Sequence, residues 1–211
     1  MNFLIDDASS EKSACGTLIL AHGAGAPMDS DYCQALTGEL NKAGITVVRF
    51  EFPYMQQRRK TGKKRPPDRA PILLDSWREV YNEVSNRTDF PQPLLIGGKS
   101  MGGRMASMVA DGLGAKGLCC FGYPFHPPGK LEKMRTEHLL DIQTPTLIFQ
   151  GTRDPFGKPE ELSLISFSSQ LQIHWLEDGD HDMKPRKSSG LLQQEHLKSA
   201  AVLVAELAGR L

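Results

Sequence analysis

Six short apolar segments recur along the chain, and helical or turn-rich stretches separate them. They span residues 16–26, 44–53, 93–100, 117–124, 145–155 and 171–181. The first five are nearly continuous runs of aliphatic and β-branched residues, whereas the sixth alternates more. Apolar strands interleaved with helices are typical of a parallel sheet that is covered on both faces. The pattern therefore predicts an α/β fold with a mostly parallel sheet of six to seven strands.

Apolar residues at steps of three and four predict the helices that cover this sheet. One helix is expected between residues 68 and 86, with Asp68 as its N-cap, and another over residues 102–113. A third is expected at the C-terminus. The residues expected on the inner faces of these helices are Leu73, Trp77, Val80, Tyr81, Val84, Met105, Met108, Val109, Leu197, Ala201, Val204, Ala208 and Leu211.

Composition limits the function class and the compartment. The 211 residues carry 25 Lys plus Arg and 25 Asp plus Glu, so the net charge is zero. Proteins that coat nucleic acid or anionic membranes usually need a basic excess, so neither partner is expected. No apolar run approaches the roughly 20 residues that span a bilayer, and the N-terminus lacks the basic start of a secretory signal. We therefore expect one cytoplasmic domain over residues 1–211, with reduced cysteines and with Cys119 and Cys120 on opposite faces of a strand.

A G-x-S-x-G pentapeptide at residues 98–102 follows the third apolar segment directly and precedes a helical pattern. A strand, a turn tight enough to need glycine on both sides of a serine, and a helix that begins at the serine form a nucleophile elbow. The same residues could end a phosphate-binding loop, but that motif requires a glycine where Pro93 stands. Ser100 is therefore the candidate nucleophile.

A nucleophilic serine needs a histidine base, which follows it in the chain order serine, acid, histidine. Only His174, His181 and His196 come late enough in the sequence. His174 lies in a strand pattern and His196 in a helical one, where structural roles are expected. His181 lies in a Gly/Asp-rich loop after the last strand, so we expect it to be the base.

The acid that orients the histidine is expected just beyond the preceding strand. Asp154 occupies that position, directly before a proline that ends the extended segment. Asp178, Asp180 and Asp182 are rival candidates, but they lie so close to His181 in sequence that they are better suited to capping its turn. Asp154 is therefore the expected acid.

The oxyanion formed in acyl transfer needs two N–H donors. The backbone of Met101, at the start of the elbow helix, is one candidate. The second is expected in the His-Gly-x-Gly loop after the first parallel strand, where Ala24 is the choice and Gly23 the near alternative. His22 is expected to hold this loop by hydrogen bonds rather than to act in catalysis.

Basic residues concentrate at the predicted carboxyl edge of the sheet, where ligands of open α/β folds bind. Residues 58–65 contain six Lys or Arg, and Arg104, Lys184, Arg186 and Lys187 follow the elbow or the base. One hypothesis is an anionic substrate; the alternative is that these charges pair with Glu51, Asp68, Asp178 and Asp180. Side chains and backbone expected to contact the substrate at this edge are those of His22, Gly23, Tyr54, Lys99, His126 and Arg153.

The strings LAHGAGA, FEFPYM, RPPDRAP, GGKSMGGRMAS, GYPFHPPGK, QGTRDPFG and EDGDHDMKPRK resemble the α/β-hydrolase superfamily. Within it, the chain looks most like the small dienelactone-hydrolase-like branch, which includes bacterial predicted hydrolases and the hydrolase-like region of animal testis-expressed and NSL-complex proteins. The resemblance implies a three-layer α/β-hydrolase sandwich and a Ser100, Asp154 and His181 triad that cleaves a small ester or thioester.

Two departures from a full-length hydrolase shape the expected site. Residues 2–5 supply at most one strand before the first parallel strand, and no long insertion follows the fourth parallel strand. We therefore expect no lid and an open site. No metal or other cofactor is expected, because no His, Asp and Glu cluster has ligand spacing. The alternative function is a catalytically silent α/β-hydrolase-fold module that binds an acidic partner through the basic 58–65 loop.

Overall fold

The computed structural model describes residues 2–10 and 13–211, whose strands form a seven-stranded sheet. The strands are β1 (Leu4–Asp6), β2 (Gly16–Ala21), β3 (Ile45–Phe50), β4 (Leu94–Lys99), β5 (Gly117–Phe121), β6 (Thr146–Gly151) and β7 (Leu171–Leu176). Their spatial order is β1-β3-β2-β4-β5-β6-β7. Only β1, which pairs with β3, is antiparallel to its neighbour in the described chain. Each predicted segment contains one strand, and β1 is the single additional strand that residues 2–5 were expected to supply.

The helices cover the sheet on both faces. They are α1 (Asp31–Lys42), α2 (Pro53–Thr61), α3 (Ala70–Ser85), α4 (Met101–Ser107), α5 (Ala110–Leu113), α6 (Pro159–Leu162) and α7 (Gln193–Ala208), with 3₁₀ turns at Glu137–Leu139 and Lys187–Ser189. Helices α1 and α7 pack on one face through residues such as Leu36 and Leu197. Helices α3 and α4 pack on the other through Trp77 and Met105. The molecule is therefore the expected three-layer α/β sandwich.

Burial on both faces explains why the sequence signal of the central strands is so continuous. Every residue of β2, β3, β4, β5 and β6 is buried, whereas the edge strand β7 has an exposed residue and three half-buried ones. In β5 the two cysteines face opposite layers as predicted, with Cys119 among the residues packed under α7 and Cys120 among those packed under α4. Both are free thiols.

The N-cap expected at Asp68 was wrong. Helix α3 begins at Ala70 with Arg69 as its N-cap, and Pro71 lies in its first turn. The Asp68 carboxylate instead accepts the backbone N–H of Tyr54, the second residue of α2, at 2.9 Å. A helix N-terminus has unpaired N–H donors and favours a negative charge. Asp68 therefore caps α2 from a position between the two helices.

The predicted helix over residues 102–113 is interrupted. Val109 leaves the helical conformation, with φ −120° and ψ −10°, and separates α4 from α5. Met108 therefore lies at the break and is 40% exposed rather than buried, while Met105 and Val109 are buried as expected. Leu211, also expected inside, lies beyond the end of α7 and is 49% exposed. Tyr81 is only partly buried.

The two segments most relevant to access are simple in structure. The basic stretch 58–65 is the last turn of α2 followed by an exposed irregular segment. Between β5 and β6, residues 122–145 contain a single 3₁₀ turn, so no helical lid is built there. No helix among the described residues has the length and apolar character needed to cross a membrane.

The broken helix predicts unequal effects of two methionine substitutions. Met105→Ala removes a side chain that is 1% exposed, and we expect it to lower the free energy of unfolding by about 2–5 kcal/mol. Met108→Ala, on the same segment, should lower it by only about 0.5 kcal/mol. Urea unfolding followed by circular dichroism measures both. Equal losses would contradict the break at Val109.

Candidate active site

Ser100 stands at the sharp turn between β4 and α4. Its backbone has φ 51° and ψ −115°, a positive φ that is rare outside glycine. A Cβ on Gly98 would lie 2.6 Å from the Gly102 carbonyl carbon, and one on Gly102 would lie 2.6 Å from the His22 oxygen. Both glycines are therefore required for the helix to approach the strands this closely, and the elbow predicted from the pentapeptide is present.

Three loops at the carboxyl edge bring Ser100, Asp154 and His181 together. The Ser100 Oγ lies 2.9 Å from His181 Nε2, and Asp154 Oδ2 lies 2.8 Å from His181 Nδ1. Asp154 is fully buried, whereas the His181 side chain is 24% exposed. With its proton on Nδ1, facing the carboxylate, the imidazole leaves Nε2 free to accept the serine hydroxyl proton.

A buried amide that the sequence analysis missed orients the Asp154 carboxylate. The Gln150 side chain donates its Nε2 to Asp154 Oδ2 at 2.9 Å, and the backbone N–H of Phe156 donates to Oδ1 at 2.9 Å. Gln150 also accepts the backbone N–H of Tyr123. The available signal was an amide in the otherwise apolar strand TLIFQG. Gln150 therefore fixes the acid by hydrogen bonds that a buried carboxylate needs.

An open cleft of about 520 Å³ adjoins Ser100 and His181. The Phe156 ring, also missed from the sequence, packs 4.3 Å from the His181 ring and forms part of the wall. The lining consists of Gly23, Ala24, Gly25, Ala26, Ser30, Asp31, Tyr32, Cys33, Lys99, Ser100, Phe156, His181 and Asp182. Gly23, Ala24 and Lys99 were expected at the substrate and are in this lining.

The loop after β2 is held from beneath by two buried aromatic rings. Tyr54 donates its hydroxyl to the carbonyls of Gly23 and Ala24, at 3.3 and 3.0 Å. His22 Nδ1 contacts the Gly23 carbonyl at 2.6 Å, and its Nε2 accepts the Phe52 N–H. Burial lowers the pKa of His22 and raises that of Tyr54. Both side chains therefore support the loop, and neither is in the described lining of the cleft.

His126 and Arg153, two further candidate substrate contacts, lie away from the described cleft lining. His126 is buried between the Pro127 carbonyl and the Glu161 carboxylate, at 2.9 and 3.1 Å. Arg153 donates to the Asp178 carbonyl at 2.9 Å and pairs with the carboxylate of the same residue. Their contacts tie loops to one another.

The rival residues have structural partners. Asp180 accepts the backbone N–H groups of Asp182 and Lys184, which is a turn cap of the expected kind. His174, in β7, stacks on Phe149 of the neighbouring strand β6. His196 contacts the Met183 carbonyl through Nδ1 at 2.9 Å. None of these three rivals takes part in the hydrogen-bonded line from Ser100 through His181 to Asp154.

Many of the basic side chains at this edge are paired with carboxylates. Arg59 binds both Glu51 and Asp29, and the Lys99 ammonium lies 3.2 Å from Asp182. Further pairs are Arg65 with Asp68, Arg153 with Asp178 and Arg186 with Asp178. Arg186 lowers the pKa of the Asp178 carboxyl to about 2. These contacts favour the alternative of paired loop charges over a free basic rim.

A parallel sheet with one antiparallel edge strand, an elbow serine after β4 and a histidine after the last strand define the α/β-hydrolase class. The family model described as "Alpha/beta hydrolase domain" matches residues 14–209. The chain therefore belongs to the α/β-hydrolase domain family. No curated protein gives a significant match.

Solved structures share this fold at low sequence identity. An α/β serine hydrolase without lid from Xanthomonas campestris is 21% identical, with a TM-score of 0.70 over 94% of this chain and 86% of that one. A dienelactone hydrolase from Anabaena variabilis is 17% identical, with a TM-score of 0.69 over 97% of this chain and 89% of that one. An α/β serine hydrolase homologue from Coxiella burnetii is 17% identical, with a TM-score of 0.67 over 99% of this chain and 89% of that one. At these identities the likeness shows the fold.

The close approach at the elbow predicts a sharp difference between two glycines. A methyl group on Gly98 would clash with backbone atoms 2.6–2.8 Å away, whereas one on Gly112, in α5, meets nothing within 4 Å. We expect Gly98→Ala to lower the free energy of unfolding by about 1–3 kcal/mol, and Gly112→Ala to raise it by up to about 1 kcal/mol. Chemical denaturation measures both, and a tolerated Gly98→Ala would refute the tight elbow.

Proposed function

We propose that the protein is a serine hydrolase that cleaves a small ester or thioester through an acyl-enzyme. One observation carries the proposal: the hydrogen-bonded line from Ser100 Oγ through the His181 ring to Asp154, with both distances below 3 Å. The membership in the α/β-hydrolase domain family supports it. The roles of nucleophile, base and acid fall on these three residues in that order.

The proposed reaction has two steps. His181 Nε2 takes the hydroxyl proton while Ser100 Oγ attacks the substrate carbonyl, and the same imidazole then protonates the leaving alcohol or thiol. His181 then deprotonates a water molecule, which attacks the acyl carbonyl; the bond to Ser100 Oγ breaks, the imidazolium returns its proton to that oxygen, and the acid is released. Asp154 stabilises the imidazolium, and its second oxygen is occupied by the Phe156 N–H, which holds the carboxylate in orientation.

We propose the backbone N–H groups of Met101 and Ala24 as the oxyanion donors. Met101 is the first residue of α4, where a helix leaves N–H groups unpaired. Because a trans peptide directs its C=O and N–H oppositely, the Gly23 carbonyl that accepts from Tyr54 turns the Ala24 N–H away from Tyr54. Ala24 lines the cleft beside Ser100, which supports its role as the second donor.

An uncharged, small or extended substrate fits the cleft best. The lining contains the carboxylates of Asp31 and Asp182, and the Lys99 ammonium is already paired with Asp182. Segment 122–145 builds no helix over the edge, so an interface-activated lid mechanism is not part of the proposal. Because Lys99 and Asp182 neutralise each other, Asp31 leaves the lining with a net negative charge, which disfavours an anionic acyl or leaving group.

Fluorophosphonate labelling tests the nucleophile, and the chain offers a matched control. Ser107, on the same helix, has its Oγ 2.8 Å from His138 Nε2, but its hydroxyl donates to the Arg104 carbonyl. We expect wild type and Ser107→Ala to be labelled and Ser100→Ala to remain at background. Mass spectrometry of the labelled peptide identifies the modified serine.

Labelling that is no faster in wild type than in Ser100→Ala would refute the hydrolase proposal. It would favour the alternative of a catalytically silent fold that binds an acidic partner through residues 58–65. A label on Ser107 would refute the assignment of the nucleophile and leave a hydrolase of different design.

Substrate charge is tested with p-nitrophenyl acetate and the p-nitrophenyl monoester of succinate. Because Asp31, Asp182 and Lys99 give the cleft lining a net negative charge, we expect kcat/KM to be about tenfold higher for the neutral ester at low salt. Added salt should narrow the difference, since it screens exposed charges. A preference for the anionic ester that salt weakens would instead support the hypothesis of a basic rim.

A further inference from the structure

Lys99 is a buried cation directly beside the nucleophile. It is the last residue of β4 and precedes Ser100, and it is only 7% exposed. Burying an ammonium is costly unless it is paired and hydrogen-bonded, and a serine nucleophile does not need lysine at the position before it. The placement therefore requires a reason beyond the packing of the elbow.

The ammonium of Lys99 binds the loop that carries the base. Its Nζ donates to the backbone carbonyl of His181 at 2.6 Å and lies 3.2 Å from the carboxylate of Asp182. It also lies 5.5 Å from the centre of the Tyr32 ring, on the wall of the cleft. One side chain thus links the strand of the nucleophile to the main chain of the histidine.

Space for this contact is kept by a glycine on the neighbouring strand end. Gly122 follows β5 with φ 67°, and a Cβ there would lie 2.6 Å from the His181 carbonyl oxygen and 3.0 Å from Lys99 Nζ. Any side chain larger than hydrogen at position 122 would therefore intrude on the contact between the His181 carbonyl and the Lys99 ammonium. Gly122 supports the contact independently of Lys99.

We propose that Lys99 is a positioning residue for the reaction: its ammonium holds the His181 carbonyl and the Asp182 carboxylate, and so fixes the imidazole between Asp154 and Ser100. This inference rests on the proposed hydrolase function and deepens it. Apart from Lys99, the partners of His181 among the described residues reach only its ring: Asp154 and Ser100 by hydrogen bonds and Phe156 by packing. The loop from Asp178 to Lys184 has no helix or strand. The hydrogen bond from Lys99 to the His181 carbonyl therefore fixes the main chain that carries the imidazole.

The ammonium also sets the charge around the imidazole. Charged groups facing this region are Asp154 after β6, Lys99 on β4, and Asp180 and Asp182 on the histidine loop itself. Burial lowers the pKa of Lys99, and the Asp182 carboxylate opposes that shift. Lys99 is the positive charge among these groups, so its removal leaves carboxylates that favour the protonated, inactive imidazole.

The test replaces the ammonium by an uncharged group of similar length. We expect Lys99→Met to lower kcat on p-nitrophenyl acetate about 10- to 100-fold, because a misplaced catalytic group costs this much, with KM changed less than threefold. The midpoint of the kcat/KM profile against pH should move to higher pH. The matched control is Lys116→Met. Lys116 is exposed and directly precedes β5, at the edge of the sheet opposite the site, so this variant should match wild type in both measurements.

The outcomes separate this inference from the proposed function. If wild type is not labelled by the fluorophosphonate, the hydrolase proposal fails first. If wild type is active and Lys99→Met retains kcat, or loses kcat with an unmoved pH midpoint, the positioning role is wrong. If Lys99→Met does not fold by circular dichroism, Lys99→Gln, which keeps a donor without the charge, is measured instead. For that variant the pH midpoint decides: it should move to higher pH, and an unmoved midpoint would contradict the proposal.

Discussion

The parallel pairing of six strands, five of them buried along their whole length, is the constraint on which the rest of the structure depends. Because β2, β3, β4, β5, β6 and β7 run in one direction, their carboxyl ends meet at a single edge. The backbone of this sheet is paired within the sheet itself, and its side chains are covered from both faces. Polar groups that the core would exclude are therefore concentrated in the loops at that edge, where Ser100, Asp154 and His181 meet.

The strands and the meeting of Ser100, Asp154 and His181 at one edge could be predicted, because they depend on short stretches of sequence. A strand buried on both faces has a continuous apolar signature, and an elbow needs glycines at fixed spacing. Met108 could not be placed correctly, because the break of the helix at Val109 is a tertiary choice that periodicity does not reveal. Asp68 was assigned to the wrong helix for a similar reason: it caps α2 by accepting the backbone N–H of Tyr54, which lies well before it in the sequence. Gln150 was missed because one amide in an apolar strand has no meaning until its neighbours are known.

The site is a chain of buried polar groups in which each partner limits the next. Gln150 has donors and acceptors engaged by Tyr123 and Asp154, and Asp154 is engaged by Phe156 and His181. In a low-dielectric surrounding such a network is rigid when it is complete and costly when one member is missing. The loop after β2 is built on the same principle, since Tyr54 fixes carbonyls and thereby the opposite N–H groups. The orientation of Asp154, and of the loop after β2, thus comes from ordinary hydrogen bonds in the layers beneath the cleft.

The second serine–histidine pair shows what distance alone leaves undecided. Ser107 and His138 are as close as Ser100 and His181, at 2.8 against 2.9 Å. The Ser107 proton is committed to the Arg104 carbonyl, so the imidazole there must donate and the hydroxyl oxygen must accept. At the elbow the Asp154 carboxylate accepts a hydrogen bond from the proton-bearing Nδ1 of His181, so Nε2 is the acceptor and the Ser100 hydroxyl is the donor. The two contacts therefore have nearly equal lengths but opposite donors: the imidazole donates to Ser107, whereas Ser100 donates to the imidazole. The proposed nucleophile is the serine whose hydroxyl proton faces the histidine.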